Sequence, residues 1–265
     1  MRLLEHFKEL SLHPKNAEEL KGLILQLAIE GKLTVNWRAE NPNIEPASVL
    51  LKEINREKEQ LILGKKLKKS KSTESIKKEE ELFIIPNGWI WCRLGEITSA
   101  NTGYAFKSKD YKEDGVFITR VTNISSDGHI TMNKAVYIDP VEANTIYSNF
   151  QLQIDDVLLV MVGGSLGKIG KVRENTLPSV LNQNLWKFDR YGGMNSDFLI
   201  QCLRYINKTQ IKITKSTHGH LGQGEYLSHM IPLPPLEEQK AIVEGVNTLF
   251  KEVEALEELT KGRIS

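Results

Sequence analysis

The stretch Ile231–Val246, IPLPPLEEQKAIVEGV, constrains the fold more than any other part of this chain. Pro232, Pro234 and Pro235 fix φ and lack an N–H, so they are expected to end whatever sheet precedes them. Glu237 and Glu238 then read as the first turn of a helix, where carboxylates favour the positive end of the macrodipole. Apolar residues recur at Ile242, Val246, Leu249, Val253 and Leu256, in steps of four, three, four and three. That is a heptad seam. The pattern predicts a folded region that stops at the prolines and sends out a helix built to pair with another helix, with Gly262 available to close it.

A second pairing surface lies near the N-terminus. Residues 16–30 read as a helix with Asn16 as N-cap, Leu20, Leu23, Ile24 and Leu27 on one face, and Gly31 as the stop. After the loop Asn41–Pro46, residues Ala47, Leu50, Ile54 and Leu61 give another amphipathic helix, closed by Gly64. Lys65–Lys78 is rich in lysine and serine and reads as a linker. From Phe83 the texture changes to short β-rich runs: Trp89–Leu94, Val116–Arg120, Lys134–Ile138, Val157–Val162 and Trp186–Phe188. Asp114-Gly115, Asp127-Gly128, Gly163-Gly164 and Gly192-Gly193 separate them as turns. Ser196–Asn207 reads as a helix capped by Ser196. The fold class expected is α+β. A helical region with a basic linker occupies 1–83, a mixed α/β domain 84–232 and a coiled-coil helix 233–265.

Composition narrows the function classes. No apolar run approaches the ~18 residues of a membrane helix, and the charged start MRLLEHFKEL does not read as a signal peptide. Cys92 and Cys202 lack a CxxC companion and read as buried apolar residues of a reducing compartment, so a cytoplasmic protein is expected. The net charge of +1 gives no overall preference for nucleic acid. Charge is uneven locally, however. Arg204, Lys208, Lys212 and Lys215 stand between Phe198 and Gly224 with no acid among them. Such a strip suits phosphate, or is a solvated helix face.

The remaining motifs admit both a binding and a structural reading. Val157–Lys171, VLLVMVGGSLGKIGK, invites comparison with a phosphate loop. The glycine such a loop needs is Val162 or Ser165 here, and no Ser or Thr follows either lysine. A tight glycine turn remains, or a close backbone approach to a DNA phosphate with Lys168 as a point charge. Asn182-Gln183-Asn184 can bond adenine or brace a turn; Gln183 is assigned to the turn, and Asn182 and Asn184 stay open as base contacts. Thr102–Asp110 and Thr119–Asp127 offer Lys107, Arg120 and Asn123 as contacts. Ser216–Tyr226, STHGHLGQGEY, adds His218 and Gln223. His218 and His220 find no third ligand, so no metal site is expected. No methyl-transfer, nuclease or nucleophile-elbow constellation is present in the sequence, so no catalytic residue and no cofactor is assigned.

Three blocks together resemble the specificity subunit of type I restriction-modification systems. They are the Pro-Leu-Pro-Pro-Leu-Glu-Glu-Gln run at 232–239, Glu19–Leu33 with Glu45–Leu61, and Pro86–Ile97 (PNGWIWCRLGEI). The Gly-Lys element around Lys168, the Asn-Gln element at 182–183 and the loop Gly222-Gln223-Gly224 are also similar to family elements, the last with its order changed. The resemblance implies double-stranded DNA as ligand and one target recognition domain reading half of a split site. It implies methyltransferase subunits that bring S-adenosylmethionine, and a restriction subunit that brings ATP-driven cleavage. With one such domain, the chain is similar to a half-subunit or a truncated one, paired in cis or as a homodimer through Leu20, Leu23, Leu27 and the C-terminal seam. The rival readings are a coiled-coil scaffold that binds protein only, and a nucleotide-binding enzyme using the Gly163–Lys171 turn.

Overall fold

The computed structural model describes residues 14–68, 76–211 and 219–264. Helix α1 (Pro14–Ile29) begins before Asn16, which lies inside it rather than at the cap. It ends as expected at Gly31, whose φ of +70° lets its N–H reach Ala28 O while the Lys32 N–H reaches Leu27 O. A short helix, α2 (Val35–Glu40), precedes α3 (Ala47–Leu63), which buries Ala47, Leu50 and Ile54. Gly64 does not take the left-handed position that ends α3. Lys65 does, at φ 56°, and its N–H and that of Lys66 bond Ile62 O and Leu61 O. Within the expected linker, residues 69–75 lie outside the described residues.

The central region runs in the order β1 (Ile90–Arg93), α4 (Leu94–Ile97), β2 (Thr98–Thr102), β3 (Val116–Thr119), β4 (Tyr137–Ile138), α5 (Pro140–Asn144), β5 (Val157–Val160), β6 (Ile169–Lys171), β7 (Ser179–Leu181), β8 (Leu185–Arg190), α6 (Ser196–Tyr205), α7 (Gln223–Ser228) and β9 (Met230–Leu233). The long helix α8 (Leu236–Ile264) follows and runs through Gly262 rather than stopping there. Strands β2, β8, β5 and β6 form an antiparallel sheet in that order. Strand β3 lies between β4, antiparallel, and β7, parallel.

The alternation along β5 explains its unbroken apolar run. Val157 and Leu159 join one core with Trp186, Phe188 and the α6 residues Phe198, Leu199, Cys202 and Leu203. Leu158 and Val160 join a second core with Leu185, Phe117, Leu181 and Ile124. A strand buried on both faces has no polar alternation to show. Each fully buried Leu or Phe here contributes about 1.5–3 kcal/mol of transfer free energy. Cys92 and Cys202 are free and buried, and burial pushes both thiols well up from their ordinary range.

Pro232 corrects one expectation. It does not end a sheet but sits inside β9, opposite Trp91 in the antiparallel pair β1–β9. The pair has only two strands, so an edge is available where a missing N–H costs no ladder bond. The glycine turn after β5 is likewise settled as a hairpin. Gly163–Ser165 make a short turn, and the chain returns as β6, not as the helix a phosphate loop requires. The helix expected from Ser196 starts there, with Asn195 as its cap: the Asn195 Oδ1 accepts from the Asp197 and Phe198 N–H groups.

Helix α8 lies antiparallel against α1, with Lys21 ion-paired to Glu254 at 2.7 Å while Thr34 meets Glu238. Ile242, Val246 and Val253 are buried, and Leu249 and Leu256 are half-buried. On α1 the face is rotated from the expectation. Leu23 is 47% exposed, Leu20 and Leu27 are half-buried, and Ile24, Leu25, Ala28 and Ile29 are buried. The cause is that α1 packs on α6 as well as on α8, so it buries a face wider than a two-helix seam.

Candidate nucleic-acid interface

The C-terminal ends of β2, β3, β5 and β7 and the start of β8 lie along one edge of the central region. Backbone bonds tie the loops that leave this edge. Tyr104 N–H donates to Leu181 O at 3.0 Å, and Gln183 N–H to Tyr104 O at 2.8 Å. Met161 N–H donates to Asn184 O at 3.1 Å, and Leu221 N–H to Met161 O at 2.9 Å. The Gln223 Nε2 amide reaches back to Ala100 O at 2.6 Å. Gly103 permits this closeness, since a Cβ there would lie 2.2 Å from Asn182 O. The result is a stitched rim built from residues 103–107, 161–168, 182–184 and 219–223.

The rim gathers several of the sequence candidates and withdraws others. Lys107 is exposed on it, and Lys168 is half-buried with no described residue pairing its ammonium. Asn182 is buried, and its amide donates to Tyr104 O at 3.4 Å. Asn184 takes the left-handed conformation, φ 70°, and holds the turn between β7 and β8. Gln223 is committed to β2 as described. Asn123 is fully buried: its amide donates to Thr131 O and Asn133 O, and its Oδ1 accepts from the Arg120 N–H. Asn123 therefore holds its own loop and cannot offer its amide to a base. Arg120 donates to Lys134 O at 2.6 Å and lies 6.0 Å from the Tyr111 ring, while its Nε finds no partner. Lys212, Lys215 and His218 lie outside the described residues.

The middle of the three amides is the outward one, although its backbone N–H braces the turn as expected. Gln183 is exposed. Beside it stands Tyr104, 39% exposed, its ring backed by Phe106, Tyr147 and Phe150 at centroid distances of 5.1, 4.8 and 5.4 Å. No sequence pattern marks Gln183 as the outward residue, because turn geometry rather than periodicity decides which amide points out.

From Lys168 the surface continues into a cleft of about 570 Å³ between α1, α6, α8 and the loops at 126–128 and 166–169. Arg204 and Lys208 share it with Lys168. Burial holds the Arg204 guanidinium below its usual range, partly opposed by Asp197, and its Nη1 donates to the neutral Gln201 Oε1 at 3.4 Å. Lys208 Nζ donates to Glu18 O at 3.3 Å and lies over Gly22, where a Cβ would come within 1.7 Å of it. Asp127, Glu18, Glu254 and Lys21 also line the cleft, so it is mixed in charge.

A hub of different chemistry joins the helices to the central region. Glu237 is exposed at the start of α8, as a macrodipole carboxylate would be, but Glu238 is fully buried. Its carboxylate accepts from Thr34 Oγ1 at 2.6 Å, Arg38 Nη1 at 2.5 Å and Trp89 Nε1 at 2.7 Å. Gln239, also buried, accepts from the Asn195 N–H at 3.1 Å. The sequence gives no sign of this, because the four partners lie up to 204 positions apart. Among the described residues no group of His, Cys, Asp and Glu could hold a metal ion, and no helix is long and apolar enough to cross a membrane.

Comparison of this mixed fold, with its edge of stitched loops and its antiparallel helix pair, gives its family. The chain belongs to the type I restriction modification DNA specificity domain family, whose profile matches residues 86–262. It is 32% identical to the type I restriction enzyme EcoAI specificity subunit of Escherichia coli over 98% of this chain and 44% of that protein. It is 27% identical to the EcoEI specificity subunit of the same organism, over 94% of this chain and 43% of that protein. The chain thus spans less than half the length of these relatives. The fold is similar to the HsdS subunit from Thermoanaerobacter tengcongensis, with TM-score 0.51 and 22% identity over 68% of this chain and 41% of that one. It is also similar to a chain of a type I restriction-modification system solved for its assembly and conformational transition, with TM-score 0.55 and 20% identity over 88% of this chain and 53% of that one.

Proposed function

We propose that this chain reads one half of a bipartite site in double-stranded DNA, without catalysing a reaction itself. The observation that carries the reading is the meeting of the stitched rim with Lys168, Arg204 and Lys208 at its side. Base edges would face the rim loops and phosphates the three cations, the usual division between specifying and positioning contacts. Lys107 and Arg120 are the further contacts assigned, with Lys212, Lys215 and His218 carried only by their sequence. The helical parts dock methyltransferase subunits and hold the domain at a set distance from its counterpart. At ~1.5 Å per residue, α8 with its 29 residues is ~44 Å long, enough to span the ~34–36 Å between half-sites one turn apart. A restriction subunit joins through that complex, and a second copy of the chain can supply the other half-site. Within this reading 1–83 and 233–265 act as frame and 84–232 as reader.

The test is a salt titration of duplex binding by the full chain, alone and with a type I methyltransferase subunit. Affinity should fall steeply with salt, and methylation should require the partner. Binding of the partner without any affinity for DNA would favour the scaffold reading, and turnover of S-adenosylmethionine by the chain alone would overturn the non-catalytic one.

A further inference from the structure

We infer that Gln183 reads adenine, with Tyr104 as the rigid wall beside it. The inference rests on the DNA reading above and goes beyond it by assigning a base-reading residue. Of three consecutive amides, Asn182 is buried on Tyr104 O, and Asn184 is half-buried in the left-handed turn, where its backbone carbonyl accepts from Met161 N–H. Gln183 alone is exposed, and no described residue bonds its side-chain amide. Its backbone is nevertheless fixed on both sides, by its own N–H on Tyr104 O and by Asn184 O on Met161 N–H. Tyr104 is fixed in turn, through its N–H on Leu181 O and its ring among three aromatic neighbours.

An exposed amide on a fixed backbone binds with little ordering cost. A glutamine amide offers one donor and one acceptor side by side, the complement of adenine N7 and N6 in the major groove. Tyr104, 39% exposed, would offer apolar contact to a thymine methyl or a deoxyribose next to that base. Lys168, on the neighbouring hairpin, would hold the phosphate strand.

The experiment selects duplexes from a randomised pool with the full chain and sequences what is retained. Wild type should enrich a motif containing adenine. Gln183→Ala should keep every other position of that motif, leave the adenine position degenerate, and bind the wild-type site roughly 5- to 150-fold more weakly. Gln183→Glu should shift that position toward cytosine, whose N4 amino group donates to a carboxylate. Because Gln183 is exposed and unbonded, both variants should melt with wild type. An unchanged motif for Gln183→Ala, or equal weakening on all sequences, would overturn the assignment. A wild-type chain that retains no duplex at all would instead overturn the DNA reading on which it stands.

Discussion

The indole N–H of Trp89 donates to the buried carboxylate of Glu238 across 2.7 Å, joining the residue just before the first strand of the central region to the start of the long helix. Thr34 and Arg38 meet the same carboxylate from the N-terminal helices. Removing the acceptor strands a guanidinium, an indole and a hydroxyl together. Glu238→Ala should therefore destabilise the chain by about 3–5 kcal/mol, the cost of breaking a buried ion pair from one side. Glu238→Gln keeps an acceptor and should lose less. Denaturant unfolding of the two variants beside wild type checks the order.

Gly103 should tolerate no side chain. A Cβ would meet Asn182 O at 2.2 Å and Leu181 O at 2.4 Å, both backbone atoms that cannot step aside. Gly103→Ala is expected to cost about 1–3 kcal/mol or more by overpacking. It should also disturb the bonds that fix Tyr104 and Gln183. Thermal melting and amide exchange of residues 181–184 would report both effects.

Burial pushes the pKa of His229 below its ordinary 6.5, and Glu225 opposes this only in part. The folded chain thus holds the proton less tightly than the unfolded chain does. This contribution to stability is intact above about pH 6.5 and is lost as pH falls through that value toward the depressed one. His229→Gln should flatten that part of the stability profile, measured from denaturant midpoints between about pH 5 and 8.

Lys168→Ala should weaken binding alike on all duplex sequences and reduce the salt slope by about one unit, as expected for one phosphate contact. Anisotropy titrations at several salt concentrations on a specific and a random duplex give both numbers. A change of preferred sequence would place Lys168 on a base instead.

Much of the fold was legible where one physical rule dominated. The 3.6 period disclosed α1, α3, α6 and α8, and the apolar run disclosed β5. Strand β2 escaped because Thr98–Thr102 is polar and pairs only at the side of its sheet. Strand β6 escaped because Gly170 interrupts it, packed against Ile124 and Ile130. The face of α1 was misjudged because a third helix, remote in sequence, turned it. For the candidate interface, the sequence marked the amide triplet at 182–184 but not its orientation, which the register of β7 and β8 decides. Asn123 looked like a contact because its bonds to Thr131 O and Asn133 O belong to a loop closure that composition does not reveal.

The pairing of Ile90–Arg93 with Met230–Leu233 places the two ends of the central region side by side. Everything between them is an excursion that returns to its point of departure. A different reader with the same two strands at its base would present the same pair of attachment points to the helices. In mechanical terms the two strands form a single hinge plate, so a change of length in the loops between them leaves the spacing of the two attachment points set by the same ladder.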